Sequence, residues 1–388
     1  MTDHTETMVV PFFDGRRSFT DEWPEIERHL SEMFEYGKFS HGLKTEQLEQ
    51  AVRQFTGARY AIGVNSGSDA LLLLLRAAGI GSGDEVIVPC YTFFASVSAI
   101  CHAGATPVFV DIDPDTYAVD PTAVAAAVNE RTKAVIPVHL FNRMADMAAV
   151  TTVAARHGIS VIEDSAEAIG MFHDGVHAGL LGAGGVLSFF PTKTLGALGD
   201  AGMVITDDPL IADRCAVLRH HGRMGQTIGR ISGISNAASL SGTNSKMDEV
   251  QASVLLARIP RLNRAIARRA MWARFYDSQL AELPGIRLPA KHIQAQSNQV
   301  WYVYLIEVDD RDGLAEHLRN RGIGTEIYYP QPMHLQPCFA KLGYQAGDFP
   351  VAEQAAQRAL ALPLYPDLTE EAADWVCRAI AEFARSAR

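Results

Sequence analysis

Lys193 stands in surroundings unlike those of a surface cation. Ser188, Phe189, Phe190, Pro191 and Thr192 precede it, and a glycine-rich run over 196–202 comes after it. Most lysines are solvated charges. Aromatic and small neighbours in a turn instead suit a side chain that points into a cleft. Desolvation disfavours the ammonium form, and the free amine is a nucleophile that bonds to carbonyl groups as a Schiff base. A second candidate is the pair Glu163 and Asp164, two acids that end an apolar stretch. The plain reading of Asp164 is the cap of a following helix. The chemical one is a carboxylate at a strand end, placed to keep a ring nitrogen protonated and the ring electron-poor.

Two further stretches belong with these. Over 65–71 the sequence NSGSDAL puts Gly67 between Ser66 and Ser68, where a strand gives way to a helix. Backbone N–H groups and a hydroxyl at such a turn suit a phosphate monoester, and an ordinary serine cap fits the same residues. No Gly-Lys-Ser/Thr comes next, so the stretch is not a P-loop. Tyr91, Thr92, Phe93 and Phe94 lie just past another apolar run. An aromatic ring there either stacks on a flat ligand or packs in the core. The glycines at 179, 182, 184 and 185 brush against a dinucleotide fingerprint. Residues 186–190 beyond them read as strand rather than helix, so the glycines are read as a loop.

These groups need elements that bring them together. Short β-rich runs over 60–64, 85–89, 106–111, 134–138 and 159–163 alternate with helical stretches over 69–78, 93–103, 121–128 and 147–157. That alternation predicts an α/β fold with a mostly parallel central sheet and helices on both faces. Ligands in such sheets gather beyond the C-terminal strand ends, where the candidate residues fall. Strands are also expected over 186–190 and 201–206. A long helix over 247–281, broken at Pro260, separates this unit from a smaller α+β part. That part has strands over 300–308 and 325–329 and helices over 312–321, 351–360 and 369–387. The expected division is a large α/β domain over 1–255 and a small α+β domain over 256–388, with about 45 N-terminal residues available to pack on the small one.

Composition narrows the function. The chain has 388 residues, 34 Lys plus Arg against 45 Asp plus Glu, and a net charge of −11. That balance argues against nucleic acid and anionic membranes as partners. Five cysteines without C-x-x-C spacing argue against a disulfide framework or a zinc site, so no metal is expected and the reducing cytoplasm is the expected compartment. Residues 1–7 are polar and do not read as a signal peptide. No stretch of about 18 uncharged apolar residues occurs.

Taken in order, the motifs resemble the DegT/DnrJ/EryC1/StrS family of pyridoxal-phosphate-dependent sugar aminotransferases, of fold type I. The pieces are NSGSDAL at 65–71, GDEVIVP at 83–89, ATPVFVD at 105–111, Glu163 to Ala166, SFFPTK at 188–193, GDAG at 199–202, GTNSKMD at 242–248 and YPQPMH at 329–334. The resemblance runs from about Val10 to the C-terminal helix. It implies that Lys193 is the Schiff-base lysine and that Asp164 faces the pyridine nitrogen. Phe93 is implied to stack on the ring. Gly67, Ser68, the backbone of Asp69 and the Ser188 hydroxyl are implied to meet the phosphate. Asn244 is implied to reach the phosphate of the neighbouring subunit, which makes the expected assembly a homodimer with shared sites. Lys246, Tyr328, Tyr329 and His334 are implied substrate contacts.

The resemblance further implies amino transfer from an amino acid, L-glutamate, to a 3- or 4-keto sugar nucleotide. The alternative is a dehydratase or another keto-sugar or cyclitol enzyme of the same family. Dehydratase members replace the lysine with histidine, so Lys193 favours transamination. Two departures bear on the substrate. Glu167 stands where many members carry Gln or His near the cofactor hydroxyl. Lys246 stands where Arg is frequent, which favours a neutral deoxy sugar over one bearing a carboxylate.

Overall fold

The structure is a computed structural model and describes residues 8–223, 238–289 and 297–386. The polar N-terminal stretch over 1–7 lies outside these. Two helices, α1 (Arg16–Tyr36) and α2 (Leu43–Thr56), open the chain. The alternating unit comes next: β1 (Tyr60–Val64), α3 (Gly67–Ala77), β2 (Glu85–Pro89), α4 (Phe94–Ala103), β3 (Thr106–Val110), α5 (Pro121–Ala127), β4 (Thr132–Val135), α6 (Met147–His157) and β5 (Ser160–Asp164). A two-stranded hairpin, β6 (Phe172–His173) and β7 (Val176–His177), interrupts it before β8 (Gly184–Ser188), β9 (Gly202–Thr206) and α7 (Pro209–Leu218).

Seven of these strands form one sheet in the order β1-β9-β8-β5-β4-β2-β3. The five from β8 to β3 run parallel; β9 runs antiparallel to both β8 and β1. The central strands are buried along nearly their whole length, which is why they read as unbroken Val/Ile/Leu runs rather than alternating ones. Helix α3 places Ala70, Leu71, Leu73, Leu74 and Leu75 in the same core as β2 and β8 residues. Helix α6 ends at Gly158 (φ 66°), whose left-handed turn lets the chain drop directly into β5 and so to Asp164.

The expected long helix is three pieces: α8 (Glu249–Arg258), a 3-10 turn (Ile259–Arg261) holding Pro260, and α9 (Leu262–Leu280). The proline lacks the N–H an α-helix needs there. Beyond lie β10 (Ile286–Arg287), β11 (Tyr304–Val308), α10 (Arg311–Arg319), α11 (Pro350–Arg358), β12 (Ala359–Leu362) and α12 (Glu370–Ser386). Strands β10, β11 and β12 make a separate antiparallel sheet. The strand expected over 325–329 is not formed: Glu326 makes only an isolated bridge to Ala361, and the Tyr328 and Tyr329 side chains turn into a cavity instead. The expected helix over 351–360 stops at Arg358, because residues 359–362 are taken up by pairing with β11.

Candidate active site

A cavity of about 530 Å³ opens at the C-terminal ends of β5 and β8 and the start of α3. Its wall brings together Gly67, Ser68, Phe93, Asp164, Glu167, Ser188, Lys193, Tyr328 and Tyr329 from the sequence-derived candidates. Lys193 and Asp164, 29 positions apart along the chain, thus share one chamber.

The Lys193 turn is fixed by its own backbone, whose N–H donates to the Phe190 carbonyl at 2.8 Å. Its Nζ donates to Glu167 Oε1 at 3.0 Å and lies 4.2 Å from the centre of the Tyr302 ring. Burial acts to lower the ammonium's pKa, as the sequence suggested. The neighbouring Glu167 carboxylate, with Tyr302 and Asp164, outweighs that, and the net direction is upward. The amine of the protein on its own is therefore held charged, which corrects the expectation of a neutral lysine. The other Glu167 oxygen accepts the Phe141 N–H at 2.8 Å.

Asp164 ends β5 with the residue 5 % exposed. Ser96 Oγ donates to Asp164 Oδ2 at 2.6 Å, and Thr92 Oγ1 lies 2.9 Å from Ser96 Oγ. Oδ1 also accepts the Ala166 N–H at 3.2 Å in a turn; among the described residues the next helix after β5 is α7, so the reading of Asp164 as a helix cap does not hold. Glu163, beside it, points to the other face of the sheet. It accepts N–H groups from Gly179, Leu181 and Gly182 at 2.6–2.7 Å and pairs with His139 Nε2 at 2.9 Å, both side chains being fully buried. The Ala145 N–H donates to His139 Nδ1, which assigns the ring proton to Nε2. Gly179 and Gly182 thus belong to a loop wrapped on a buried carboxylate, whereas Gly184 and Gly185 open β8, which corrects the loop reading for that pair.

The α3 end is shaped to receive an anion. Ser66 Oγ accepts the Asp69 N–H at 3.1 Å and the Ser66 carbonyl accepts that of Ala70. The amides of Gly67 and Ser68 are left pointing out of the first turn, with the Ser188 side chain beside them. A Cβ at Gly67 would lie 2.9 Å from Ser188 Cβ, and one at Gly202 2.3–2.5 Å from the Ser66–Gly67 peptide. Only glycine permits this approach of three segments. Asp69 itself is absent from the cavity wall; its N–H serves the cap and its carboxylate accepts from Ser245.

Donors at the helix end, the Asp164 carboxylate backed by Ser96, and a buried lysine fit a phosphorylated pyridine aldehyde. Phe93, 58 % exposed at the cap of α4, supplies a ring at the cavity face. Tyr91 does not reach the chamber; it is buried and its hydroxyl donates to the Tyr328 carbonyl. Besides Asp69, three candidates stand apart from the chamber. His334 is buried against Glu353, 3.1 Å away, and the Phe349 ring. Asn244 and Lys246 lie on the strand-like segment beside β1, bonded to each other.

Sequence reasoning missed Ser96, His139, Phe12 and Tyr302. His139 follows a strand in the same way Asp164 does, so that signal was present. Tyr302 carries none: it stands in an aromatic run that reads as core.

The sequence profile described as the DegT/DnrJ/EryC1/StrS aminotransferase family matches residues 21–381. A "pleiotropic regulatory protein" of Geobacillus stearothermophilus is 44% identical over 97% of this chain and 99% of its own length. A UDP-N-acetyl-3-dehydro-alpha-D-glucosamine 3-aminotransferase of Acidithiobacillus ferrooxidans is 40% identical over 95% and 96%. Among solved structures, DesV of S. venezuelae, crystallised with a ketimine intermediate, superposes with a TM-score of 0.92 at 38% identity, covering 97% of this chain and 99% of that one.

Proposed function

The chain belongs to the DegT/DnrJ/EryC1/StrS aminotransferase family, and from that premise we propose how its residues divide the work. It is a pyridoxal-phosphate-dependent enzyme that moves an amino group from an amino acid onto a keto sugar carried by a nucleotide. When bound, the cofactor supplies an electron-poor ring that takes up the negative charge developing at the carbon losing its proton. Asp164, oriented by Ser96, would hold the ring nitrogen protonated. The Gly67 and Ser68 amides and the Ser68 and Ser188 hydroxyls would hold the phosphate. Phe93 would supply an aromatic face for the ring. Lys193 would bind the aldehyde through its amine and, when free, would serve as the acid and base that moves a proton within its reach. Tyr328, Tyr329 and Phe12 close the chamber to water.

L-glutamate is the proposed donor, and C3 the proposed position of the ketone; the A. ferrooxidans relative, named for a 3-dehydro sugar, supports the latter. The proposed assembly is a homodimer in which Asn244 and Lys246 serve the site of the other subunit. Its support is that both lie outside their own chain's cavity while Phe93, Phe94, Phe190, Leu198 and Leu240 are exposed apolar residues, four of them in or beside the segments that form the chamber. Among the described residues no helix is long and apolar enough to cross a membrane, and we place the enzyme in the cytoplasm.

One observation carries the reading: the Lys193 amine and the Asp164 carboxylate line one cavity at the sheet's ligand-binding edge. The purified protein is expected to absorb near the visible edge, and Lys193→Ala to lose that band. Glutamate and then a panel of 3-keto and 4-keto nucleotide sugars are supplied, and the product is identified by mass and NMR. A protein that takes up no cofactor, or aminates none of the panel, refutes the reading.

A further inference from the structure

We propose that Tyr302 is a positioning residue for the catalytic amine: its ring face carries Lys193 Nζ and its hydroxyl ties down the turn that bears the lysine. The proposal rests on the assignment of Lys193 made above.

The contacts form a closed circuit. Lys193 Nζ donates to Glu167 at 3.0 Å, and the other Glu167 oxygen accepts from Phe141 N at 2.8 Å. The Tyr302 N–H donates to the Phe141 carbonyl at 2.8 Å. The Tyr302 hydroxyl lies 3.1 Å from Thr192 Oγ1, on the residue just ahead of the lysine. The ring then meets Nζ at 4.2 Å, within the range of a cation–π contact. Arg269, 2 % exposed, donates to the Tyr302 carbonyl at 2.9 Å, so the backbone that presents the ring is held from both sides. Tyr302 stands just ahead of β11, in the C-terminal sheet, whereas Lys193, Glu167 and Phe141 belong to the seven-stranded unit. The amine is thus gripped between a carboxylate of one unit and an aromatic face of the other.

A ring face favours the cation and does nothing for the neutral amine. Tyr302 therefore adds to Glu167 in keeping the unbonded lysine protonated and pointed into the chamber. Glu167 and Asp164 act on Nζ by charge, and Tyr302 through its ring face. His139, Asp200, Glu326, Tyr328 and Tyr329 line the same chamber. Arg258 and Arg269 face Lys193 from a polar crevice on its other side.

The test compares the parent with Tyr302→Phe, which keeps the ring, and Tyr302→Leu, which removes it. In cofactor-stripped protein, acetylation of Lys193 is followed against pH by peptide mass spectrometry. The pH midpoint reports the charge preference of the amine, whereas altered access moves only the plateau. Losing the ring is expected to lower the midpoint by about 0.5–1 unit, which is about 3- to 10-fold faster labelling below it. Tyr302→Phe is expected to stay within about twofold of the parent. A Leu midpoint equal to the parent's, or a Phe variant that behaves like Leu, overturns the proposal. Should the Leu variant not fold, 4-cyanophenylalanine at 302 keeps the shape and drains the ring face, and is expected to fall between the parent and full loss; no shift there refutes it equally. In holoenzyme the same variants are read by the pH midpoint of the visible band. A parent whose band is indifferent to Lys193 refutes the cofactor assignment and leaves the labelling result standing.

Discussion

Gly202→Ala is the sharpest test of how the sheet builds the phosphate end of the site. Gly202 opens β9, paired with Val64 of β1 on one side and Ser188 of β8 on the other. An added Cβ would lie 2.3 Å from Ser66 C, 2.4 Å from its oxygen and 2.5 Å from Gly67 N. Carbon contacts settle at roughly 3.5–4.0 Å, so something must retreat by about 1 Å. Strand β9 is held on both edges, and the nearest atoms are backbone, not the far end of a flexible side chain. The 66–67 peptide is the part that moves, taking the two amides with it. Overpacking of this kind costs about 1–3 kcal/mol in stability. Misplacing donors to an anion costs about 1.5–3 kcal/mol each, which for two amides is a weakening of the cofactor's Kd by about 100-fold or more. Titration with pyridoxal phosphate and with pyridoxal, monitored by fluorescence quenching, separates the two effects. Pyridoxal lacks the phosphate and is expected to bind nearly unchanged. A Gly202→Ala protein that binds pyridoxal phosphate like the parent, or loses pyridoxal to the same extent, would show that this approach does not shape an anion cradle.

Ser96→Ala removes the 2.6 Å hydrogen bond that aims Asp164; a cost of about 1–2 kcal/mol predicts about 5- to 30-fold slower transfer from glutamate, read in single-turnover kinetics. Asp164→Asn is expected to cost far more in the same assay while leaving the thermal midpoint near that of Ser96→Ala, and equal effects would remove Asp164 from the chemistry. Glu163→Gln puts an amide nitrogen where each carboxylate oxygen now faces two donors; losing two such bonds predicts about 3–5 kcal/mol less stability by urea unfolding, and a change under about 1 kcal/mol would contradict the circuit drawn for it. His177 is buried and its Nε2 accepts the Gly170 N–H at 2.9 Å, and burial lowers its pKa to about 4. The unfolded chain therefore binds the extra proton between about pH 6.5 and 4, stability falls as pH drops through that window, and the loss reaches about 3 kcal/mol. His177→Gln should flatten the dependence of the thermal midpoint on pH there.

Much of the site was legible because parallel strands are read twice. Their apolar runs mark where they are, and the polar residues that end them mark where a ligand sits. Asp164 and the turn at Gly67 were found that way, Ser188 only through the family motif, and the structure puts them in one chamber. Tyr302 was not legible, because its contact with Lys193 joins two segments over a hundred residues apart and nothing local distinguishes it from its aromatic neighbours. The charge state of Lys193 was misread for a related reason: burial is written in the neighbouring sequence, but the partner that offsets it, Glu167, acts through space. His334 misled in the opposite sense, since a histidine in a family motif is spent on Glu353 and a phenylalanine ring. The strand expected over 325–329 failed because β-rich composition does not reveal whether a neighbour is free to pair.

The position of β1 at the sheet's edge has a bearing on how the protein comes into being on the ribosome. It is the first strand of the sheet to emerge, yet among the described residues the strand it pairs with is β9, the last. Until β9 has left the exit tunnel, the segment carrying Ser66 and Gly67 has nothing to pair with, and a half-made chain offers vitamin B6 no phosphate pocket. Capture of the coenzyme by nascent chains should therefore begin abruptly with length rather than grow in proportion to it.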